Sequence, residues 1–355
     1  PSANQVFFGG VKGTVISATG STLIATVPAG AAPGPIMVYV SGLWAYSGTD
    51  FQPRTVTIYP LDGSAYKLTD TAKTNYYPRN AVFSDLDLDG KPDLLALRYE
   101  PNQSYQNHIM PFRNESLPNG DIILKPQGSF EAGIFATEMA LGDFDGDGKQ
   151  DAVVTSIGNT TSQIKVLRNT SNPGSINFTG AFSLNISGAC YYVATGDADG
   201  DGKVDFVVSN YFEGKLLLYR NTSASGSISF ASPVVIEAGQ TPGMIAFADL
   251  DGNGKPDIAV TNELVRKVVI LNNNSSAGTI SFTPAKTIEF QTYDKVESLV
   301  AADLNGDGKN DLLVTNSDLN YLKGYLYVIR NTGSFNFSNP NVLYTPNYSG
   351  AYFKP

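Results

Sequence analysis

The stretch Asp143-Phe144-Asp145-Gly146-Asp147-Gly148-Lys149-Gln150-Asp151 sets carboxylates at positions 1, 3, 5 and 9 of a nine-residue run, with glycine at 6. The pattern occurs five times, beginning at Asp85, Asp143, Asp197, Asp249 and Asp303. Two like charges about 4 Å apart repel by about 1 kcal/mol in water and about 4 kcal/mol at an effective dielectric of 20. Such a loop therefore needs either a splayed chain or a cation. Oxygen ligands at positions 1, 3 and 5, with a backbone carbonyl at 7, suit calcium. Glycine at position 6 permits the sharp turn that brings position 7 round. The candidate ligands are Asp85, Asp87, Asp89, Lys91 and Asp93 in the first loop, and Asp143, Asp145, Asp147, Lys149 and Asp151 in the second. The third offers Asp197, Asp199, Asp201, Lys203 and Asp205, and the fourth Asp249, Asp251, Asn253, Lys255 and Asp257. The fifth offers Asp303, Asn305, Asp307, Lys309 and Asp311. An ammonium group cannot be a ligand, so each lysine is expected to offer its carbonyl and turn its side chain to water. Asn253 and Asn305 each cost their loop one charge, and those two sites are expected to bind more weakly.

An EF-hand would need a bidentate glutamate at position 12 and flanking helices. Position 12 is Ala96, Val154, Val208, Val260 or Val314, inside short apolar runs such as Phe206-Val207-Val208. These are strand residues. The loops thus join strand to strand, and the EF-hand is excluded. The loops recur at steps of 58, 54, 52 and 54 residues, which is too regular for chance acidic turns.

Around each loop the chain must supply the strands that hold it. In the third repeat Tyr192–Thr195 enters the loop, Phe206–Ser209 leaves it, and Lys215–Arg220 follows. The turn Asn221-Thr222-Ser223 leads to Ser227–Phe230, read as the closing strand. The same order recurs at Ile164–Asn169 with Ser175–Phe178, at Lys267–Asn272 with Thr279–Phe282, and at Tyr325–Asn331 with Ser334–Phe337. The first repeat is looser, with His108–Asn114 and then Asp121–Leu124. Helical periodicity is absent. A four-stranded unit with this period reads as a β-propeller blade.

The Asp-x-Asp-x-Asp-Gly-x-x-Asp loop inside such a unit resembles the FG-GAP/VCBS repeat over roughly residues 60–355. That resemblance implies a calcium-binding propeller of the kind found in integrin α-subunits and bacterial surface proteins. The Phe-Gly and Gly-Ala-Pro signatures of integrins are not intact, so integrin-type recognition is not implied. The Asn-Thr-Ser turn followed by Gly-Ser-Ile-Ser-Phe is similar to the VCBS form of large bacterial secreted proteins. The expected architecture is all-β, with five blades and the start of a sixth after Phe337, as part of a seven-bladed ring closed outside this chain.

Residues 1–52 read as strands with Gly/Pro turns, from Thr14–Ile16, Thr22–Val27 and Pro35–Val40. Val6-Phe7-Phe8-Gly9-Gly10, Thr26–Gly30 and Gly34–Val38 resemble the second half of an immunoglobulin-like TIG (IPT) domain, which implies a partial β-sandwich truncated at its N-terminus. Residues 53–80 are read as linker and first propeller strands, and 81–355 as the repeats.

The net charge of −9 suggests an acidic protein, but 18 of the 33 acidic residues lie in the five loops. The remaining charges balance at +9, and five calcium ions would bring the whole near neutrality. The acidity belongs to metal sites. No basic tract points to nucleic acid, and no apolar run is long enough to span a membrane. One cysteine, Cys190, precludes an intrachain disulfide and reads as a buried hydrophobe. Loops of this type need roughly millimolar calcium, an extracellular condition. His108, Trp44 and the tyrosine pairs Tyr76-Tyr77 and Tyr191-Tyr192 read as packing residues, and the Asn-x-Ser/Thr sequons at Asn114, Asn169, Asn221 and Asn274 as mostly chance. No Ser-His-Asp set, zinc cluster or phosphate loop is evident. The expected function is non-catalytic: a secreted or cell-surface binding or adhesion protein, with about five structural calcium ions and an unknown protein or glycan ligand. A lectin, or the propeller part of a secreted polysaccharide-degrading enzyme, is the alternative. The lectin reading asks for side chains recurring in every repeat, and only Arg168, Arg220 and Arg330 approach this, with Asn272 in the fourth repeat.

Overall fold

The computed structural model describes residues 5–8, 11–18, 23–26, 34–40, 43–51, 77–99, 106–117, 122–158, 161–290, 294–318 and 323–344. The chain divides into two compact units, Pro1–Leu68 and Thr69–Pro355.

In the first unit, Gln5–Phe8, Val11–Ala18, Leu23–Thr26, Gly34–Val40 and Leu43–Phe51 form one antiparallel sheet in the order third, second, first, fourth, fifth. Val6, on the central strand, is buried. The long second strand pairs with the first through Val11–Gly13 and with the third through Thr14–Ala18. The Pro/Gly turns expected at 28–35 fall mostly outside the described residues.

The second unit is all-β and follows the repeat. Four sheets have four strands in chain order; in the second blade these are Ala136–Gly142, Asp151–Ile157, Thr161–Asn169 and Phe178–Ser187. Residues 190–237, 242–289 and 294–344 repeat the plan. The first strands of successive sheets are neighbours, so the sheets stack as propeller blades, face against face. The described residues hold five such sheets; of the segment after Phe337, read as the start of a sixth, Asn341–Tyr344 is instead the outer strand of the fifth sheet, and the residues after Tyr344 lie outside those described. The first blade is irregular. Its third strand, Gln106–Asn114, pairs with Phe130–Ile134 at one end and with Leu124–Pro126 at the other.

The second strands are the most buried, with Asp205–Asn210 and Asp257–Asn262 covered along their whole length. They pack on both faces, which is why they read as continuous apolar runs. The cores lie between blades. Phe144, Val153, Ile164 and Val166 of the second blade meet Cys190, Val193, Phe206 and Val208 of the third. The Phe144 ring meets Phe206 and Phe230 edge-on, with centroids 6.3 and 5.4 Å away.

The closing strand sits later than expected. Ser227–Phe230 is not the outer strand; it is the return arm of a small hairpin, with Ala224 bridged to Ser227 and Asn221 to Phe230. The outer strands follow, at Phe178–Ser187, Val234–Glu237, Phe282–Glu289 and Asn341–Tyr344. The Ser-x-x-Phe pattern looks strand-like because its phenylalanine points into the inter-blade core.

Candidate metal centre

Each acidic loop connects the first and second strands of a blade, and its backbone folds round its own carboxylates. In the second loop Asp143 accepts the N–H groups of Asp147 (3.0 Å) and Gly148 (2.8 Å) on its two oxygens. Asp147 accepts the Lys149 N–H at 3.0 Å. Gly148 has φ +86°, and the position-6 glycines at 90, 202, 254 and 308 match it.

The position-9 aspartate fixes the corner. It is buried in all five loops. Asp151 accepts the Phe144 N–H (3.0 Å) from its own loop and the Asn169 N–H (2.7 Å) from the end of the third strand. Asp93, Asp205, Asp257 and Asp311 repeat both bonds. Burial pushes the Asp151 and Asp205 carboxyls up to about 7, against the pull of those two backbone bonds. Asp93 and Asp257 are raised for the same reason. The neighbouring position-3 and position-5 carboxylates, or position 1 for Asp257, add to the shift. These corners carry more negative charge than their surroundings stabilise.

Positions 1, 3 and 9 converge. Asp85, Asp87 and Asp93 place one carboxylate oxygen each within 4.8 Å of one another, as do the corresponding trios at Asp143, Asp197 and Asp249. Such an oxygen-only set fits a hard divalent cation. The fifth loop differs, because Asn305 stands at position 3 and its amide donates to Asp311 at 3.2 Å. Its Asp303 and Asp307 are exposed and held below the ordinary carboxylate range, Asp303 by backbone N–H groups and Asp307 by Arg330.

The position-5 aspartate turns instead to an arginine from the third strand. Arg168 reaches Asp145 (2.5 Å) and Asp147 (3.0 Å), and Arg113 reaches Asp87 (2.8 Å) and Asp89 (2.6 Å). Arg220 and Arg330 pair with Asp201 and Asp307 at 3.3 and 3.1 Å. The recurring arginines are thus counter-charges of the loops. The fourth loop lacks both partners, with Asn253 at position 5 and Asn272 on the strand. The lysines also differ from expectation. Lys91, Lys203 and Lys255 do not simply reach into water; their ammonium groups donate to the carbonyls of Ser116, Ser223 and Ser275 at 3.0, 2.8 and 2.7 Å. A carbonyl within reach at the next turn satisfies the ammonium beside an acidic loop.

Sequence reasoning missed one set of residues. Asn169, Asn221, Asn273 and Asn331 end the third strands of successive blades. Each amide donates one N–H to its own loop and the other to the position-2 carbonyl of the preceding blade's loop. Asn169 reaches Leu86 (2.9 Å), Asn221 reaches Phe144 (2.8 Å), Asn273 reaches Ala198 (2.9 Å) and Asn331 reaches Leu250 (2.9 Å). Two hairpin tips add a second tie, with the Gly174 and Gly278 N–H groups donating to Asp87 and Asp199 of the preceding blades at 2.7 Å. The available signal was an asparagine opening each Asn-x-Ser/Gly turn at a fixed place in the repeat. The sequons at Asn169 and Asn221 are buried and fully bonded, so neither is free to carry a glycan.

Of the packing candidates, Cys190 is buried, with its thiol pushed up to about 12 by desolvation. Tyr192 donates its hydroxyl to Glu263 at 2.8 Å, while Tyr77 is exposed. His108 lies within the third strand of the first blade, opposite Glu131 and Arg98. Tyr76 and the side chain of Trp44 lie outside the described residues.

These corners and blades define a class: an all-β propeller whose blades are tied together through acidic loops. Residues 85–154, 143–208 and 197–260 match the FG-GAP-like repeat and residues 296–329 the FG-GAP repeat. The matched segments make up more than half of the chain, which belongs to the FG-GAP-repeat proteins. Among solved structures it is similar to a protein from Lactobacillus plantarum at 16% identity and TM-score 0.51, covering 95% of this chain and 82% of that one. It also aligns with an auxiliary nutrient binding protein from Bacteroides thetaiotaomicron at 12% identity and TM-score 0.40, covering 92% and 76%. At such identities the first likeness speaks for the fold alone. No curated protein matches the chain.

Proposed function

We propose that this chain is a non-catalytic binding or adhesion protein of the cell surface or extracellular space, with its blades stiffened by structural calcium. The observation that carries this reading is the repeated trio of converging carboxylates, one member of which is buried in every case. When bound, calcium supplies the positive charge that each corner lacks. The protein's own groups then do the rest. Position 9 joins the loop to the third strand, and the asparagine amide joins that corner to the next blade. A stiffened corner therefore stiffens an inter-blade seam. Oxygen-only loops of modest affinity work where calcium is about millimolar, which supports an extracellular location.

Two observations favour binding over catalysis. The recurring arginines and aspartates are spent on one another inside the loops. The Cys190 thiol is buried and held protonated, a poor nucleophile. The lectin alternative loses its main support, since the arginines it relied on are loop counter-charges. The partial TIG-like domain fits a spacer role. The test is display of the purified chain to a glycan array and to immobilised cell-surface proteins, in calcium and in chelator. Calcium-dependent capture of a defined ligand supports the proposal. Turnover of a polysaccharide by the purified chain contradicts it.

A further inference from the structure

The chain contains three Asn-Gly pairs, and two of them are the departures from the acidic-loop pattern, Asn253-Gly254 and Asn305-Gly306. Both pairs are exposed. An asparagine followed by glycine is chemically labile, because no side chain shields the following backbone nitrogen from the amide carbon. In the fourth loop the turn bonds that every acidic loop makes fall on the atoms of that reaction, because asparagine stands at position 5. The Gly254 N–H donates to Asp249 Oδ2 at 2.8 Å, so a carboxylate already holds the proton that must leave. The Lys255 N–H donates to Asn253 Oδ1 at 2.7 Å, which polarises the carbonyl under attack. The departing Nδ2 is held by Asp251 at 3.0 Å.

We propose that Asn253 is a deamidation site, and that its aspartate product completes the fourth loop as a calcium site. Asp249 takes the proton from the Gly254 nitrogen as that nitrogen bonds to Asn253 Cγ. The Cγ–Nδ2 bond breaks, and the amide leaves as ammonia carrying that proton. Water then adds to Cγ of the succinimide and breaks its bond to the Gly254 nitrogen, leaving aspartate on an unaltered main chain. Opening at the other carbonyl would give isoaspartate and lengthen the backbone within the turn. The bonds of the residue-253 N–H to Asp249 and Asp251 survive in the succinimide, and the expected product is the unlengthened chain that keeps them.

The product restores the residue type present at this position in the other four loops, at Asp89, Asp147, Asp201 and Asp307. It does more than restore it. Those four carboxylates face arginines, whereas Asn272 stands where the fourth loop's arginine would be. The new carboxylate has no such competing counter-charge, and its charge is available to a cation. A bound cation engages Asp249 and Asp251, so calcium slows the conversion that chelation allows. Asn305-Gly306 has a similar carboxylate-held N–H, from Gly306 to Asp303 at 2.7 Å, and serves as an internal comparison.

The consequence for affinity rests on the calcium reading, but the conversion does not. The full chain is aged in mildly alkaline buffer with chelator or with calcium, digested, and its Asn253 peptide followed by mass spectrometry, with fragmentation separating aspartate from isoaspartate. N253D and N253Q chains are titrated with calcium by calorimetry. The expected results are conversion to aspartate, slower in calcium, and binding by N253D roughly tenfold tighter at one site than by N253Q, about 1.4 kcal/mol. Absence of conversion, or isoaspartate alone, overturns the proposal and leaves the calcium reading standing. Conversion with no gain in affinity in N253D overturns its consequence.

Discussion

Replacing Asn221 by alanine tests the tie between blades. The Asn221 side chain is buried and makes three hydrogen bonds: its amide to the Phe144 carbonyl (2.8 Å) and the Val204 carbonyl (2.9 Å), and its oxygen to the Ser223 N–H (2.8 Å). Each ordinary hydrogen bond contributes about 1 kcal/mol net, and a buried partner left unpaired costs about 1–3 kcal/mol. Water can reach some of the freed groups, so the expected loss is about 3–5 kcal/mol. Asn114 is the natural control. It makes the same bonds within its own blade, to the Pro92 carbonyl (2.9 Å) and from the Ser116 N–H (3.0 Å). Asn114→Ala should therefore cost less than Asn221→Ala by the inter-blade bond, about 1–2 kcal/mol. Urea unfolding followed by far-ultraviolet circular dichroism, at fixed calcium, measures both. Hydrogen exchange should also show faster opening around Phe144 in the first variant only. Equal losses in the two variants, or a loss below about 1 kcal/mol for Asn221→Ala, would refute the idea that this amide joins the blades.

Three further outcomes follow from the same geometry. Arg168→Ala uncovers Asp145 and Asp147; it should raise calcium affinity at the second loop while lowering calcium-free stability by about 1–2 kcal/mol, less at high salt, as titration and unfolding would show. The calcium-free protein should weaken as pH rises. The folded Asp151 and Asp205 carboxyls lie near 7, above their ordinary 3.8, so their contribution is complete below about 4 and is lost as pH passes through about 7. Melting of chelated protein across that window should show the decline, and calcium should flatten it. Cys190 should resist a disulfide reagent until the chain unfolds, since its thiol is buried and pushed up to about 12; fast labelling of native protein would contradict the packing described.

What the sequence revealed, and what it hid, divides along the range of the interactions. The acidic loops and their flanking strands were legible because their determinants are local. Carboxylates at fixed spacing, a glycine able to take positive φ and an alternation of apolar residues each act within a few positions. The inter-blade ties were not legible in this way. Asn169 meets Leu86 across 83 residues, and nothing in a buried asparagine's neighbours announces a partner in another repeat. The arginines misled for a related reason. Arg168, Arg220 and Arg330 recur visibly, but only the fold shows that they face the loops of their own blades. The closing strands were misplaced because Phe230 and its counterparts carry a strand-like pattern while packing from a hairpin arm. Taking the position-9 carboxylate out of water beside its acidic neighbours explains why it is so heavily bonded, a cost invisible until burial is known.

The most direct test of the account is calcium titration of chelator-treated protein by calorimetry, read together with the melting temperature at each point. Full carboxylate sets in the first three loops, Asn253 in the fourth and an interrupted set in the fifth predict about three comparable calcium equivalents and two weaker ones, with melting temperature rising as the stronger sites fill. No heat of binding at millimolar calcium, with a melting temperature indifferent to chelator, would contradict a structural role for the ion in these blades.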